Sequence, residues 1–293
     1  MQFTLFHLTY EIARRMRLTT PGTATTGSTT TIVDTASRTE PDDFFNGGVA
    51  WLLYDANGAA AAPEAEYKTI TDFVNSTATV TAGTFTAAVA VGDRYALATK
   101  HVPLPALVEL VNESLRDLGP IPTIDKATIT TAAAQTEHSL PIAANLDLRR
   151  VWIQNKLSDT NDYQWSEIFN WWVERTATGT ADLLHTEYQY TSGYLLMLEY
   201  MAHHALLNAS SDKLNESIPM ERVVYPAVLN GLWYLKTRNK SDDWDTQIEK
   251  WEREVSTVAQ RFPITNLPQK PGKLVMVGKR DYRIESEPNL VRI

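Results

Sequence analysis

The sequence predicts an α+β protein. A helical base is closed by a C-terminal αα-hairpin, two small β modules (barrel or sandwich) are inserted into it, and an extended arm follows. Three observations carry this. Apolar residues recur at intervals of three and four over 104–118 and 244–262. Short β-branched and aromatic runs, broken by turn residues, fill 31–99 and 121–198. The last thirty residues hold prolines around one short apolar piece, KLVMVG, too little to bury a core of their own.

The elements follow in order. Residues 1–20 hold a short helix with Leu5, Leu8, Ile12 and Arg15 or Met16 along one side, stopped by Pro21-Gly22. TTPGTATTGSTTT makes 21–30 a threonine-rich linker. The first β module, 31–102, offers TIVDT, VAWLLYD, EYKTITDF, TATVTAG and RYALAT, separated by turn chemistry such as Asn57-Gly58. Five such pieces in one short span favour a small barrel or sandwich over a βαβ fold. Pro103 and Pro105 open a helix of the base, 103–120, whose Leu104, Leu107, Val108, Val111, Leu115 and Leu118 share a face, and Gly119-Pro120 ends it.

Strands return in the second β region, 121–207: TIDKATITTA, HSLPI, LRRVWIQNK, IFNWWVERT and GYLLMLEY. Residues 208–262 carry the C-terminal helices. In the first, Pro226 removes a hydrogen bond and predicts a kink or a break. In the second, Trp244, Ile248, Trp251, Val255, Val258 and Phe262 form a seam that Val224, Val228, Leu232 and Leu235 of the preceding helix can fill. Pro263 ends it, and 263–293 form the arm.

Composition narrows the function. Zero cysteines exclude disulfides, cysteine nucleophiles and thiolate metal sites. A formal net charge of −8 argues against nucleic-acid binding by the whole surface, without excluding one basic strip. No run of 18 apolar residues occurs, so no membrane-spanning helix is expected, and the first residues lack the order of a secretory signal. Acidic residues crowd 34–66, whereas Lys270, Lys273, Lys279, Arg280 and Arg283 crowd the arm. Opposed patches suit packing between copies or docking on a larger partner, or they are two solvated faces.

EPDDFFNGG, residues 40–48, is the most site-like stretch. Asp42 and Asp43 are adjacent and point to opposite sides of an extended chain, so they do not share a cleft. The spacing also lacks the ligand order of a calcium loop. Pro41, the Asx residues and Gly47-Gly48 suit a tight reversal, with Phe44 and Phe45 covering one end of the module. Asp42, Asp43, Phe44 and Phe45 are therefore read as a turn and as candidates for contact with a neighbouring subunit. Glu199, His203 and His204 lie near one another, but GYLLMLEY reads as strand, which breaks helical ligand spacing, and HEXXH is absent. No nucleophile elbow, phosphate loop or dinucleotide fingerprint occurs. No catalytic, cofactor or metal residue is therefore expected, and the chain reads as a non-enzyme. Trp171 and Trp172 are adjacent; in one strand they face opposite sides, one to the core and the other to solvent, a loop or another chain.

LPALVELVNESLRDLG, DLRRVWIQNK and GYLLMLEYMAHHALLNASSD, with the two closing helices, resemble the head–tail adaptor (connector) proteins of tailed bacteriophages. The stretch TIVDTASRTEPDDFFNGGVAWLLYD is similar to a small β module of phage structural proteins. The resemblance spans about residues 31–262, as a pattern without one decisive motif. It implies a structural virion protein at the head–tail junction, assembled in the host cytoplasm. Such adaptors form a ring, commonly of twelve copies, beneath the portal, and their helices frame the channel for double-stranded DNA. By the same resemblance, residues 263–293 are a portal-docking arm and the β modules meet tail or neck proteins. The alternative is a host- or glycan-binding virion module, using Trp171 or Trp172, or another neck or tail structural protein.

Overall fold

The computed structural model describes residues 2–58, 61–141, 147–155, 164–175, 182–238 and 244–264. The fold is α+β, with a helical base, inserted β-sheets and a C-terminal helix pair. It divides into two units, Met1–Leu118 with Ala205–Ile264, and a second that includes Gly119–His204. The arm, 265–293, with Lys270, Lys273, Lys279, Arg280 and Arg283, lies outside the described residues.

The base of the first unit contains α1 (Leu5–Arg15), α2 (Leu104–Asp117), α3 (Glu221–Arg238) and α4 (Asp245–Arg261). α3 packs against each of the other three. A helix with neighbours on several sides needs apolar residues all round rather than one stripe, and α3 buries Val223, Val224, Tyr225, Ala227, Val228, Leu232 and Leu235. Pro226 lies inside α3 without ending it. Gly231 marks the closest approach, since a Cβ there would lie 2.7 Å from Met16 Cε and 3.2 Å from Leu110 Cδ1. α4 buries Ile248, Trp251 and Val258 from its predicted seam. The Arg15 guanidinium sits 5.0 Å from the Tyr225 ring and 5.8 Å from the Trp251 ring, tying α1 to both closing helices. The segment before α3 is fastened by Asn112 of α2, whose amide donates to Leu207 O and accepts from Leu207 N, both at 2.9 Å.

The first β module is a seven-stranded antiparallel sheet. Its strands are β1 (Thr19–Thr23), β2 (Thr26–Gly27), β3 (Thr31–Val33), β4 (Val49–Tyr54), β5 (Tyr67–Val74), β6 (Thr79–Ala82) and β7 (Arg94–Ala98), in the order β1-β7-β4-β5-β6-β3-β2. The strand pairing does not close into a barrel. The two end strands are nonetheless consecutive in the chain: Ala24 N donates to Asp93 O on the β7 side, and Thr25 N to Val33 O on the β3 side. The module core, including Ile32, Phe45, Leu52, Phe73, Phe85 and Leu97, is enclosed within this curl. Within residues 21–30, expected as a linker, 21–23 and 26–27 are thus strands of the sheet. Threonine is β-branched and suits a strand once neighbours supply ladder bonds, and Pro21 is tolerated on an end strand.

β4 is buried on both sides. Ala50 and Leu52 enter the module core. Trp51 is fully buried and donates from Nε1 to Thr9 Oγ1 on α1 at 3.2 Å, so the sheet is seated directly on the base.

The second unit holds two antiparallel sheets. One contains β8 (Ile121–Thr130), β10 (Leu148–Gln154), β11 (Trp165–Ile168) and β14 (Leu195–Ala202), in the order β11-β10-β14-β8. The other is β12-β13-β9, from β9 (Glu137–Ser139), β12 (Trp171–Glu174) and β13 (Leu183–Thr186). Ile129, Val151, Ile168, Leu196 and Leu198 share one core with Trp171 and Leu184. IFNWWVERT, expected as one strand, is two: the chain leaves one sheet at Ile168 and joins the other at Trp171. At the edge, β8 bulges opposite Met197, and Asp125 Oδ1 accepts the amides of Ala127 and Thr128 at 3.0 and 3.1 Å. Such a bulge blunts an edge that would otherwise pair with another chain.

Candidate functional site

Residues 40–48 form a wide turn between β3 and β4 of the first unit. Three tight reversals follow one another, with Phe44 N donating to Pro41 O, Asn46 N to Asp43 O and Gly48 N to Phe45 O. Asp43 and Gly47 adopt positive φ, 64° and 77°, a conformation glycine takes freely and an Asx residue tolerates. Asp42 Oδ1 accepts the Asn75 amide at 2.6 Å, and Asn75 Nδ2 donates to Glu40 O at 2.5 Å. Asn46 Nδ2 donates to Asp43 Oδ1 at 2.6 Å. Gly48 must be glycine because a Cβ there would lie 1.8 Å from Ala98 O of β7. Both carboxylates thus hold the loop in shape.

The two phenylalanines separate. Phe45 is fully enclosed in the module core, edge-on to Phe73 at 5.2 Å. Phe44 stands edge-on to Phe45 at 5.0 Å and remains 44% exposed. The expectation that Phe45 meets a neighbouring subunit is therefore corrected: its own core already covers the ring. Asp42, Asp43 and Phe44 remain on the outer surface.

Behind this turn lies a buried polar network that sequence reading missed. Asp34 accepts the amides of Ala36 and Ser37 at Oδ1, and the hydroxyls of Ser37 and Tyr95 at Oδ2, the latter at 2.6 Å. Arg38 places Nε 3.6 Å from Asp34 Oδ2, Nη1 3.2 Å from Glu40 Oε1 and Nη2 2.5 Å from Pro21 O. Burial alone would raise the Asp34 carboxyl, but the Ser37 and Tyr95 hydroxyls and the two amides hold it below the usual carboxylate range. The Tyr95 phenol is pushed far above its ordinary value, by burial first and then by Asp34. Gly22 leaves room for this contact, since a Cβ would fall 2.4 Å from Tyr95 Oη. TIVDTASRTE carried only the Asx-turn signal; the Tyr95 partner is 61 residues away.

In the second unit, Trp171 is 9% exposed and belongs to the core, which corrects its expected role as a subunit contact. Trp172 takes the opposite face of β12, where its ring stacks on His185 with centroids 5.1 Å apart and planes within 4°. His185 Nε2 lies 2.7 Å from Glu174 Oε2. On the inner face, His138 is 2% exposed and its Nε2 has no hydrogen-bond partner among the described residues. Burial, then the neighbouring His185, lowers its titration. The more exposed aromatics lie at the corner that splits β11 from β12. There Glu187 N donates to Asn170 O at 3.2 Å and the two side chains bond, fixing the turns that carry Phe169, 75% exposed, and Tyr188, 62% exposed. From sequence, Phe169 stands out only as one of the aromatics crowded here with Trp165, Trp171 and Trp172, and Tyr188 does not stand out at all, because reading IFNWWVERT as one strand hides the corner.

Among the described residues, no group of three or more His, Asp and Glu side chains is arranged to hold a metal ion. No helix among them is long and apolar enough to cross a membrane. Compared with protein families and with characterised proteins, the chain matches none. The geometry is a pinned acidic turn presenting Phe44 and a braced corner presenting two rings.

Proposed function

We propose that this chain is a structural, non-catalytic virion protein of a tailed phage, an adaptor subunit whose copies form a ring between portal and tail and frame the DNA channel. The observation that supports this reading is the construction of the base. Helices α1, α2 and α4 pack around α3, and the first β module is seated on α1 through Trp51 and Thr9. Such a base suits lateral packing between copies, while the rigid turn carrying Asp42, Asp43 and Phe44 projects as a contact element. The basic arm, with Lys270, Lys273, Lys279, Arg280 and Arg283, is the portal-docking element of this proposal. Net negative charge suits a conduit that passes DNA without holding it, because phosphate affinity comes largely from Lys and Arg contacts.

The test is assembly. Sedimentation and electron microscopy of the full chain, alone and with portal protein, should show a closed ring, twelvefold on this reading. Deleting residues 264–293 should abolish portal binding while leaving the subunit folded. A chain that stays monomeric at about 10 µM with and without portal, a concentration that populates any complex with a Kd of about 1 µM or tighter, refutes the proposal.

A further inference from the structure

The N-terminal segment is held by an unusual clasp. Leu5 N and Phe6 N, the first amides of α1, donate to Asp212 O and Ser210 O at 2.9 and 3.1 Å. Leu214 N donates to Phe3 O at 2.8 Å, and Thr4 bridges to Lys213. Residues 3–6 therefore lie along residues 210–214, so that main-chain carbonyls satisfy amides a helix start leaves open. Gln2 and Phe3 also form one wall of a groove of about 440 Å³ whose other wall is Leu214–Pro219.

His7 governs the cap itself. Its Nδ1 lies 3.3 Å from Thr4 N and 2.9 Å from Thr4 Oγ1. It occupies the position where a capping box ordinarily carries Glu or Gln, returning an acceptor to the N-cap amide. Only a neutral imidazole protonated at Nε2 offers that lone pair. Phe3 and Phe6 stand edge-on to the ring, at 6.2 and 5.4 Å. The charged residues around it come from three elements. Glu64 favours the imidazolium. Glu11, one turn along α1, is occupied by Arg14 and Arg15. Across the bridge are Lys213 and Asp212, the latter bonded to the amides of Asn208 and Ala209.

We propose that His7 is a proton-operated clasp: neutral, it holds Thr4 and the N-terminal segment against residues 210–214, and protonated, it releases them and opens the groove beside Leu214–Pro219. A proton on Nδ1 sets two donors, Nδ1–H and the Thr4 N–H, against each other. It also places positive charge at the positive end of the α1 dipole. Burial outweighs Glu64 and lowers His7 below its ordinary value. The closed form is thus complete above about pH 6.5, where a free histidine titrates, and weakens as pH falls below it.

Hydrogen exchange of the full chain, read by mass spectrometry on the N-terminal peptide at pH 7.5 and 5.5 with intrinsic rates corrected, tests this. Wild type should lose about tenfold of its protection at the amides of residues 4–6 on acidification, the scale of one cap interaction. His7→Gln, which keeps the acceptor but does not titrate, should be equally protected at both values. Unchanged protection in wild type, or the same loss in His7→Gln, overturns the clasp. Should His7→Gln fail to fold, the wild-type ring decides: nitrogen shifts showing proton-bearing Nδ1 at pH 7.5 refute the clasp, and proton-bearing Nε2 supports it.

Discussion

Replacing Asp34 with Asn should be among the most damaging isosteric changes in the first unit. The carboxylate receives two amides and two hydroxyls and faces the Arg38 guanidinium. Asn keeps one acceptor oxygen but turns the other into a donor, so the hydroxyls of Tyr95 and Ser37 lose theirs. Among the described residues Arg38, its side chain 2% exposed, keeps only Glu40 as an ionic partner. Breaking one side of a buried ion pair costs about 3–5 kcal/mol, and the surviving Glu40 contact puts the expected loss near 3 kcal/mol. At about 2–4 °C per kcal/mol for a unit of this size, the thermal transition of the first unit should fall by about 10 °C. Tyr95→Phe, which removes one hydrogen bond, should cost about 1–1.5 kcal/mol. The double variant should cost less than the sum, because the pair shares one contact. The sign with pH follows from the lowered carboxyl. Its contribution is fully present above the unfolded value and is lost as pH falls through the folded one, so the gap between wild type and Asp34→Asn should narrow in acid. Calorimetry across pH measures all of this. A loss under about 1 kcal/mol, or a gap that widens in acid, would refute the account of the network.

Two further substitutions separate backbone from side-chain effects. Gly48→Ala places a methyl 1.8 Å from Ala98 O, so β4 and β7 must part by about 1 Å. Urea unfolding should show a loss of about 3 kcal/mol or more, while Gly58→Ala, with nothing within 4 Å of its Cβ, should stay within about 0.5 kcal/mol of wild type. Asn112→Ala leaves the buried Leu207 amide and carbonyl without their partner. A loss of about 3 kcal/mol is expected, with faster hydrogen exchange confined first to residues 205–214.

The sequence by itself determined what repeats. The α4 seam and its facing residues on α3 are legible because 3.6-residue periodicity is local, and the Asn57-Gly58 and Gly47-Gly48 turns because their chemistry is. The same locality identified residues 40–48 as a reversal and argued against a shared cleft for Asp42 and Asp43. Tertiary structure decided everything that depended on a distant neighbour. Thr19, Thr20, Thr23 and Thr26 became strand because β7 and β3 supplied ladder partners. Phe45 went inward and Phe44 outward because the register of the reversal against Phe73 and Ile70 placed them so. Trp171 and Trp172 parted as expected, but the corner before them shifted the exposed aromatics to Phe169 and Tyr188. Asp34, Tyr95 and Gly22 share no local pattern, and only the folded sheet brings them within hydrogen-bond reach. Periodicity and turn chemistry are properties of a few consecutive residues, whereas burial and pairing belong to residues far apart in the chain, and those set which surfaces remain for a partner.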